Sequence, residues 1–295
     1  MNLNGDLYNF KMTDAPIDDA NVEAVFVTVS EVKVDGEAVN GFEKQTIDLT
    51  AYQEGNTKVL VADDMAVQSY NNVSLVLDYE QDASGNSPGC YVLTEDDAKH
   101  NLNSSSQSQS EIVIQDGFDV QSATTNDVVI DFDLRKSMRS ENEMHNESEF
   151  SFVTESEMES ALRVVVESNA GYITGETTNE TSAEGKMVVY AYHKGDFNML
   201  TETQGQGTSD IMFANAVTST GVNSDGSYQL SFLEEGEYEI HVVNYSHNNG
   251  NGHMEFNSMM SITSNTSGLV PDGMMVDAGA SISMDILVNG FIGGV

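Results

Sequence analysis

Asp-Val-Val-Ile-Asp-Phe-Asp-Leu, residues 127–134, is the stretch that decides the fold. Val128, Ile130, Phe132 and Leu134 fall on one side, and Asp127, Asp131 and Asp133 on the other. That is the period of two of a β-strand. Such a row of acids must be wet, metal-bound or paired, and Arg135 and Lys136 follow directly. The pattern recurs upstream in residues 72–80, where Val73, Leu75, Leu77 and Tyr79 share a face. Residues 22–34 (VEAVFVTVSEVKV) are apolar on both faces at their centre, as in a strand buried between two layers. Residues 3–12 read as a strand around Leu3, Leu7 and Phe10, and residues 14–19 as a turn-rich acidic loop.

Downstream, residues 161–167 and 187–192 read as strands. In residues 222–243, Tyr228, Leu230 and Phe232 alternate between Asp225-Gly226 and Glu235-Gly236, and Tyr238, Ile240 and Val242 alternate after them. This predicts a β-hairpin closing at 234–236. Residues 244–252 read as a mobile tip, and residues 281–288 as a last strand carrying Ile282, Met284, Ile286 and Val288. Two stretches break the rhythm. Residues 101–110 are low in complexity and read as a loop. Residues 137–160 are rich in Glu and read as a loop followed by a short helix, or as an irregular acidic connector. The expectation is an all-β chain of two consecutive β-sandwich domains, Ig-like or prealbumin-like, with at most short helices in connectors.

Composition supports this and excludes much else. The 295 residues include 39% hydrophobic side chains, three Pro and no Trp. Asp and Glu number 48 against 11 Lys and Arg, a formal net charge of -37. Residues 1–169 carry 33 acids and 9 bases, and residues 170–295 carry 15 and 2, so both halves are acidic. A nucleic-acid binder needs the opposite sign, and an anionic membrane would repel the chain. No apolar run approaches the length of a transmembrane helix. The single Cys90 forbids an intramolecular disulfide and reads as a packed loop thiol.

Several constellations bear on chemistry. Asp14, Asp18, Asp19 and Glu23 offer carboxylates in one acidic loop, the oxygen-rich environment that calcium favours. They are the candidate metal ligands, and calcium is the candidate cofactor. Asp63-Asp64 and Glu95-Asp96-Asp97 read as turn caps. Paired carboxylates mean little among 48, and no phosphate loop, nucleophile elbow or zinc-protease motif is present, so the chain reads as non-enzymatic.

Thr13-Asp14-Ala15-Pro16, residues 22–36, Thr46-Ile47-Asp48-Leu49, Pro88-Gly89-Cys90-Tyr91 and residues 131–137 (DFDLRKS) together resemble a domain of bacterial surface lipoproteins that is known only as a domain of unknown function. The resemblance covers residues 3–168. It implies a β-sandwich exported to the cell surface, often on a lipid anchor, and it brings no catalytic residues. Gly171-Tyr172-Ile173-Thr174-Gly175 and the segment from Asp225 to Tyr238 resemble a carboxypeptidase-regulatory-like, transthyretin-like sandwich, a module that serves as spacer or stalk. The expected domains are therefore residues 1–169 and 170–295, in a protein secreted or held at the outer surface of a bacterium.

The leading expectation is an extracellular structural protein. It would be the subunit of a cell-surface or extracellular filament, self-associating with identical copies through its terminal strands and calcium. The alternative is a surface-anchored lipoprotein that binds a glycan or a surface, with Tyr52, Tyr70, Tyr91 and Phe197 as exposed aromatics.

Overall fold

The computed structural model describes residues 6–15, 22–95, 97–102, 108–121, 126–141, 149–247 and 254–294. The chain is all-β, of β-sandwich type, and its helices are short connectors. It divides into two compact units. The first comprises Met1–Asp14, Val22–Ser168 and Gly207–Ser209, and the second Ala15–Asn21, Asn169–Gln206 and Asp210–Val295.

In the first unit, among the described residues, one sheet orders the strands Leu162–Val166, Asn126–Asp133, Asp6–Ala15 and Lys58–Met65. Tyr8, Phe10 and Met12 bury one face of the Asp6–Ala15 strand completely. Each such side chain contributes about 1.5–3 kcal/mol by leaving water. Phe10 is in the core as the sequence suggested, whereas Leu7 lies on the other face and is 46% exposed. The strand also continues through Asp14 and Ala15, which read as the start of a loop.

A second sheet orders Gln109–Ile114, Val73–Asp78, Val22–Val34, Tyr91–Thr94 and Lys99–Asn101, with Glu37–Ala38 and Gln45–Asp48 also on Val22–Val34. Phe152 links the layers. Its ring lies 6.1 Å from Phe132 of the first sheet and 6.0 Å from Tyr79 beside the second. The Glu-rich connector is more ordered than it reads. Met138–Glu141 and Glu149–Phe152 form an antiparallel pair, and helix Glu155–Ala161 follows. Thr154 starts that helix with a capping box: its N–H donates to the Glu157 carboxylate and its side chain accepts the Glu157 N–H.

The long strand Val22–Val34 explains the Pro-Gly-Cys motif. Val73–Asp78 pairs with its second half and Tyr91–Thr94 with its first, both antiparallel. Thr28 fixes the return of the intervening chain. Its N–H donates to Cys90 Sγ at 3.3 Å and its hydroxyl to the Gly89 carbonyl at 2.6 Å. A Cβ at Gly89 would lie 2.2 Å from the Asp78 carbonyl oxygen, so glycine is required there. Cys90 ends fully buried, and burial pushes its thiol up to about 12.

In the second unit the described strands form one curled sheet. Its order is Thr218–Gly221, Lys186–His193, Gly236–His247, Met254–Ser264, Ile286–Gly294, Ala170–Asn179 and Ser227–Glu234. Asp272–Val276 pairs with Gly236–His247, and Ser281–Ser283 pairs in parallel with Ala170–Asn179.

The expected hairpin at 234–236 is corrected here. Ser227–Glu234 pairs with Ala170–Asn179, whereas Gly236–His247 pairs with Lys186–His193 and Met254–Ser264. The two strands share a core, in which Tyr228, Leu230, Tyr238, Ile240 and Val242 all lie. A bulge causes the divergence. The register shifts opposite Gly171–Ile173, Phe232 takes a positive φ of 56°, and its ring meets Tyr172 while Leu233 turns into the core. Residues 244–247, read as a tip, continue the strand. A second core on the sheet's other face gathers Val188, Tyr190, Tyr192, Val243, Tyr245 and Met259 with Phe213 and Ala216. Strand Lys186–His193 is therefore apolar on both faces.

Candidate functional site

The richest concentration of buried polar chemistry in the first unit lies where Thr13-Asp14 meets Asp131–Leu134. Asp14, Asp131 and Asp133 are all buried. Asp133 caps the single helical turn Leu134–Ser137, accepting the N–H groups of Arg135 at 3.0 Å and Lys136 at 3.2 Å. Its second oxygen lies 3.5 Å from the Lys136 ammonium. Asp14 takes the next N–H of the same turn, that of Leu134, at 3.1 Å, and the Gln53 amide approaches its other oxygen at 3.4 Å. The Asp14 N–H donates to the Tyr52 carbonyl at 2.9 Å, and the Thr13 hydroxyl donates to the carbonyls of Tyr52 and Asn56. Two sequence segments more than a hundred residues apart are thus one fastening.

Asp131 is directly opposite Arg163 across the sheet. Arg163 donates from Nε at 2.9 Å and from a terminal nitrogen at 2.6 Å, both to the same Asp131 oxygen. The third member of the row, Asp127, is half-buried near the start of the Asn126–Asp133 strand and accepts from Asn9 and Lys11. The row is paired, then, but Asp131 is paired across strands rather than to Arg135 or Lys136.

The electrostatics follow from burial. Burial pushes the Asp14 carboxyl well above the usual carboxylate range; the Leu134 N–H opposes this, and the charges of Asp133 and Asp131 add to it. Burial also raises Asp131, with Arg163 pulling it down and Asp133 pushing it up. Asp14 and Asp131 therefore hold protons at pH values where exposed carboxyls have lost them.

Of the four candidate calcium ligands, Asp14 and Glu23 lie within the described residues. Asp14 is turned inward to Leu134, while Glu23 is exposed at the start of Val22–Val34. Asp18 and Asp19 lie outside the described residues. Among the described residues no group of three or more His, Cys, Asp and Glu is placed to hold a metal ion. Asp63 sits in a strand and accepts from the N–H and side-chain amide of Asn40. Asp96 lies outside the described residues.

The candidate aromatic platforms are largely packed. Tyr91 is buried, stacked on Phe26 at 4.7 Å with the Lys99 ammonium over its ring. Tyr70 stacks on Phe118 at 5.2 Å and Phe197 on His241 at 3.7 Å. Tyr52 is half-buried, and its carbonyl holds Thr13 and Asp14.

One functional-looking residue of the second unit escaped the sequence. Glu202 is 1% exposed and accepts from Tyr192 Oη at 2.9 Å, Gln206 Nε2 at 3.2 Å, and both the N–H and the side-chain amide of Asn215. Burial and the neighbouring Glu202 charge push the Tyr192 hydroxyl far above its ordinary value. Glu202 anchors the irregular segment after Lys194 to the outer face of the sheet. Nearby, Glu239 accepts the N–H groups of Gly195 and Phe197, tying the start of that segment to the Gly236–His247 strand.

Comparison with known proteins adds one family. A model described as a domain of unknown function (DUF4382) matches residues 6–152. That span contains both Asp14 and the Asp131–Leu134 turn. No curated protein matches the chain. Among solved structures, the TIE protein of Bacillus anthracis aligns over 96% of this chain at 10% identity and a TM-score of 0.21. This chain spans about a third of that protein, 34% of its length. BcpA, the major pilin subunit of Bacillus cereus, aligns over 96% of this chain and 70% of its own at 8% identity and a TM-score of 0.20. The major pilin T-13 of Streptococcus pyogenes aligns over 97% of this chain and 98% of its own at 9% identity and a TM-score of 0.21. Likenesses this distant carry no weight in the functional argument. No helix of the described residues is long and apolar enough to cross a membrane.

Proposed function

We propose that this chain is a non-enzymatic structural protein of the bacterial exterior, one of many identical subunits of a cell-surface or extracellular fibre. The observation that carries the reading is the use to which buried acids are put. Asp14 and Asp133 hold the backbone of one turn, Asp131 holds Arg163 across the sheet, and Glu202 holds a covering segment. Each carboxylate is spent on the scaffold. The resemblance of residues 3–168 to surface lipoproteins and of residues 171–295 to spacer and stalk modules supports an exported, two-domain building block, divided near residues 169–170.

One joint between subunits falls to the C-terminal strand. Asp6–Ala15 lies inside its own sheet, between Asn126–Asp133 and Lys58–Met65, so both its edges are occupied. Calcium would enter through Asp18, Asp19 and Glu23, since Asp14 is committed to Leu134. The lipoprotein binding module has less support, because its aromatic candidates are packed against neighbours.

Negative-stain microscopy and gel filtration, with and without calcium, test the proposal. Fibres or concentration-dependent oligomers are expected. A monomer under every condition removes the fibre, and assembly indifferent to calcium removes the ion.

A further inference from the structure

Strand Ile286–Gly294 has two edges with different fates. One pairs along its length with Met254–Ser264. The other pairs with Ala170–Asn179 only over residues 286–288. Among the described residues, no strand pairs with this second edge over residues 289–294. An open edge is a template for another strand, and proteins blunt such edges with charge, proline, cover or bulges. Residues 289–294, Asn-Gly-Phe-Ile-Gly-Gly, contain no charge and no proline, in a chain of net charge -37.

Two further features mark this edge. Register shifts between Met259 and Met260 and between Ser261 and Ile262 leave Ile292 and Asn289 as extra, bulged residues. Phe291 lies opposite Met260, a core residue, and so shares the core face of the sheet. Yet Phe291 is 53% exposed and Ile292 57%. The core face continues past its cover.

We propose that this edge joins the same edge of a second copy of the chain, antiparallel, in a two-fold dimer with one sheet running through both. A strand edge takes a strand. The bulges at Asn289 and Ile292 blunt this edge in part, so the pairing they leave open is weak. Two chains of charge -37 repel, and this uncharged strand lets them approach at least cost. The pairing rests on the reading of the chain as self-associating and names the contact. Six residues make a small interface, so the dimer is weak and populated at high concentration.

Sedimentation equilibrium of the full chain up to ~1 mM, at low and high salt, tests it. A monomer–dimer equilibrium is expected, tighter as salt screens the repulsion. Phe291→Lys and Ile292→Lys place like charges against each other at the two-fold axis and weaken association on the order of 100-fold. Met275→Lys, at a site equally exposed elsewhere in the same unit, associates as the wild type does. Circular dichroism checks folding; if Phe291→Lys unfolds, Ile292→Lys decides. A wild type that stays monomeric, or a dimer that persists in the folded edge variants, overturns the proposal. Open-ended polymers abolished by these variants overturn the two-fold pairing and leave the fibre standing. A dimer that never forms fibres does the reverse.

Discussion

Asp131 in the first unit and Glu202 in the second are both buried carboxylates, and they are held by different chemistry. Asp131 faces a guanidinium across the sheet. Glu202 faces a tyrosine hydroxyl, two side-chain amides and a main-chain N–H. The difference follows supply: nine of the eleven Lys and Arg lie in residues 1–169 and two in residues 170–295. Where cations are scarce, a buried acid is satisfied by neutral donors, which must be placed more exactly because no long-range attraction gathers them. Where a cation is present, the acid depends on that one partner.

The sharpest way to break this contrast is to remove Arg163. Arg163→Met leaves Asp131 buried near Asp133 and Asp14 without its counter-charge. The first unit should lose about 3–5 kcal/mol in chemical denaturation; a loss under about 1 kcal/mol would show that the pair behaves as a surface salt bridge. Next is Glu202→Gln, which puts an amide N–H among donors. A loss of about 2 kcal/mol in the second unit is expected, and no loss would mean that water replaces the lost acceptor.

A subtler test is pH. The folded Asp14 carboxyl lies above its ordinary 3.8. As pH falls from that raised value towards 3.8, the folded chain takes up a proton that the unfolded chain does not yet bind, so the first unit gains stability. Above the raised value this group adds no slope. Asp14→Asn should reduce the gain on acidification and leave the share that the raised Asp131 carboxyl contributes, measured as melting temperature against pH, and an unchanged profile would contradict it. The smallest effect belongs to the second unit's exposed ion pair, Lys194 with Asp272. Lys194→Ala should leave the melting temperature unchanged within error.

Much of the fold was legible because the alternation of apolar and polar residues along a strand is a local property. Val128, Ile130, Phe132 and Leu134 are buried, as are Val73, Leu75, Leu77 and Tyr79, although Val129, Asp131 and Asp133 on the other face are buried too. Pairing is not local. The strands around Tyr228 and Tyr238 follow each other closely and never pair, because the bulge at Phe232 parts them. Leu7 and Phe10 misled because they stand three positions apart and so fall on opposite faces of a strand, whereas Tyr8, Phe10 and Met12 hold the true alternation. The acidic cluster was half legible. Asp131 and Asp133 stood out as carboxylates on a strand, but Arg163 lies thirty residues on, in the strand that sheet pairing brings opposite. Asp14 looked like a loop ligand because nothing in its neighbourhood announces that the backbone of Leu134 will need an acceptor. Glu202 gave no signal, since its donors are ordinary neutral residues.

Cys90 gives the first unit a built-in clock. Its sulfur is the chain's single thiol, buried against Thr28 and pushed up to about 12. Thiolate chemistry at neutral pH is therefore closed to it while the Val22–Val34 strand stays paired. A thiol-reactive dye would label the protein only as fast as that strand opens, so its labelling rate reads the lifetime of the first unit's central ladder. A cysteine introduced anywhere on the surface would label at once, free of background from the native one.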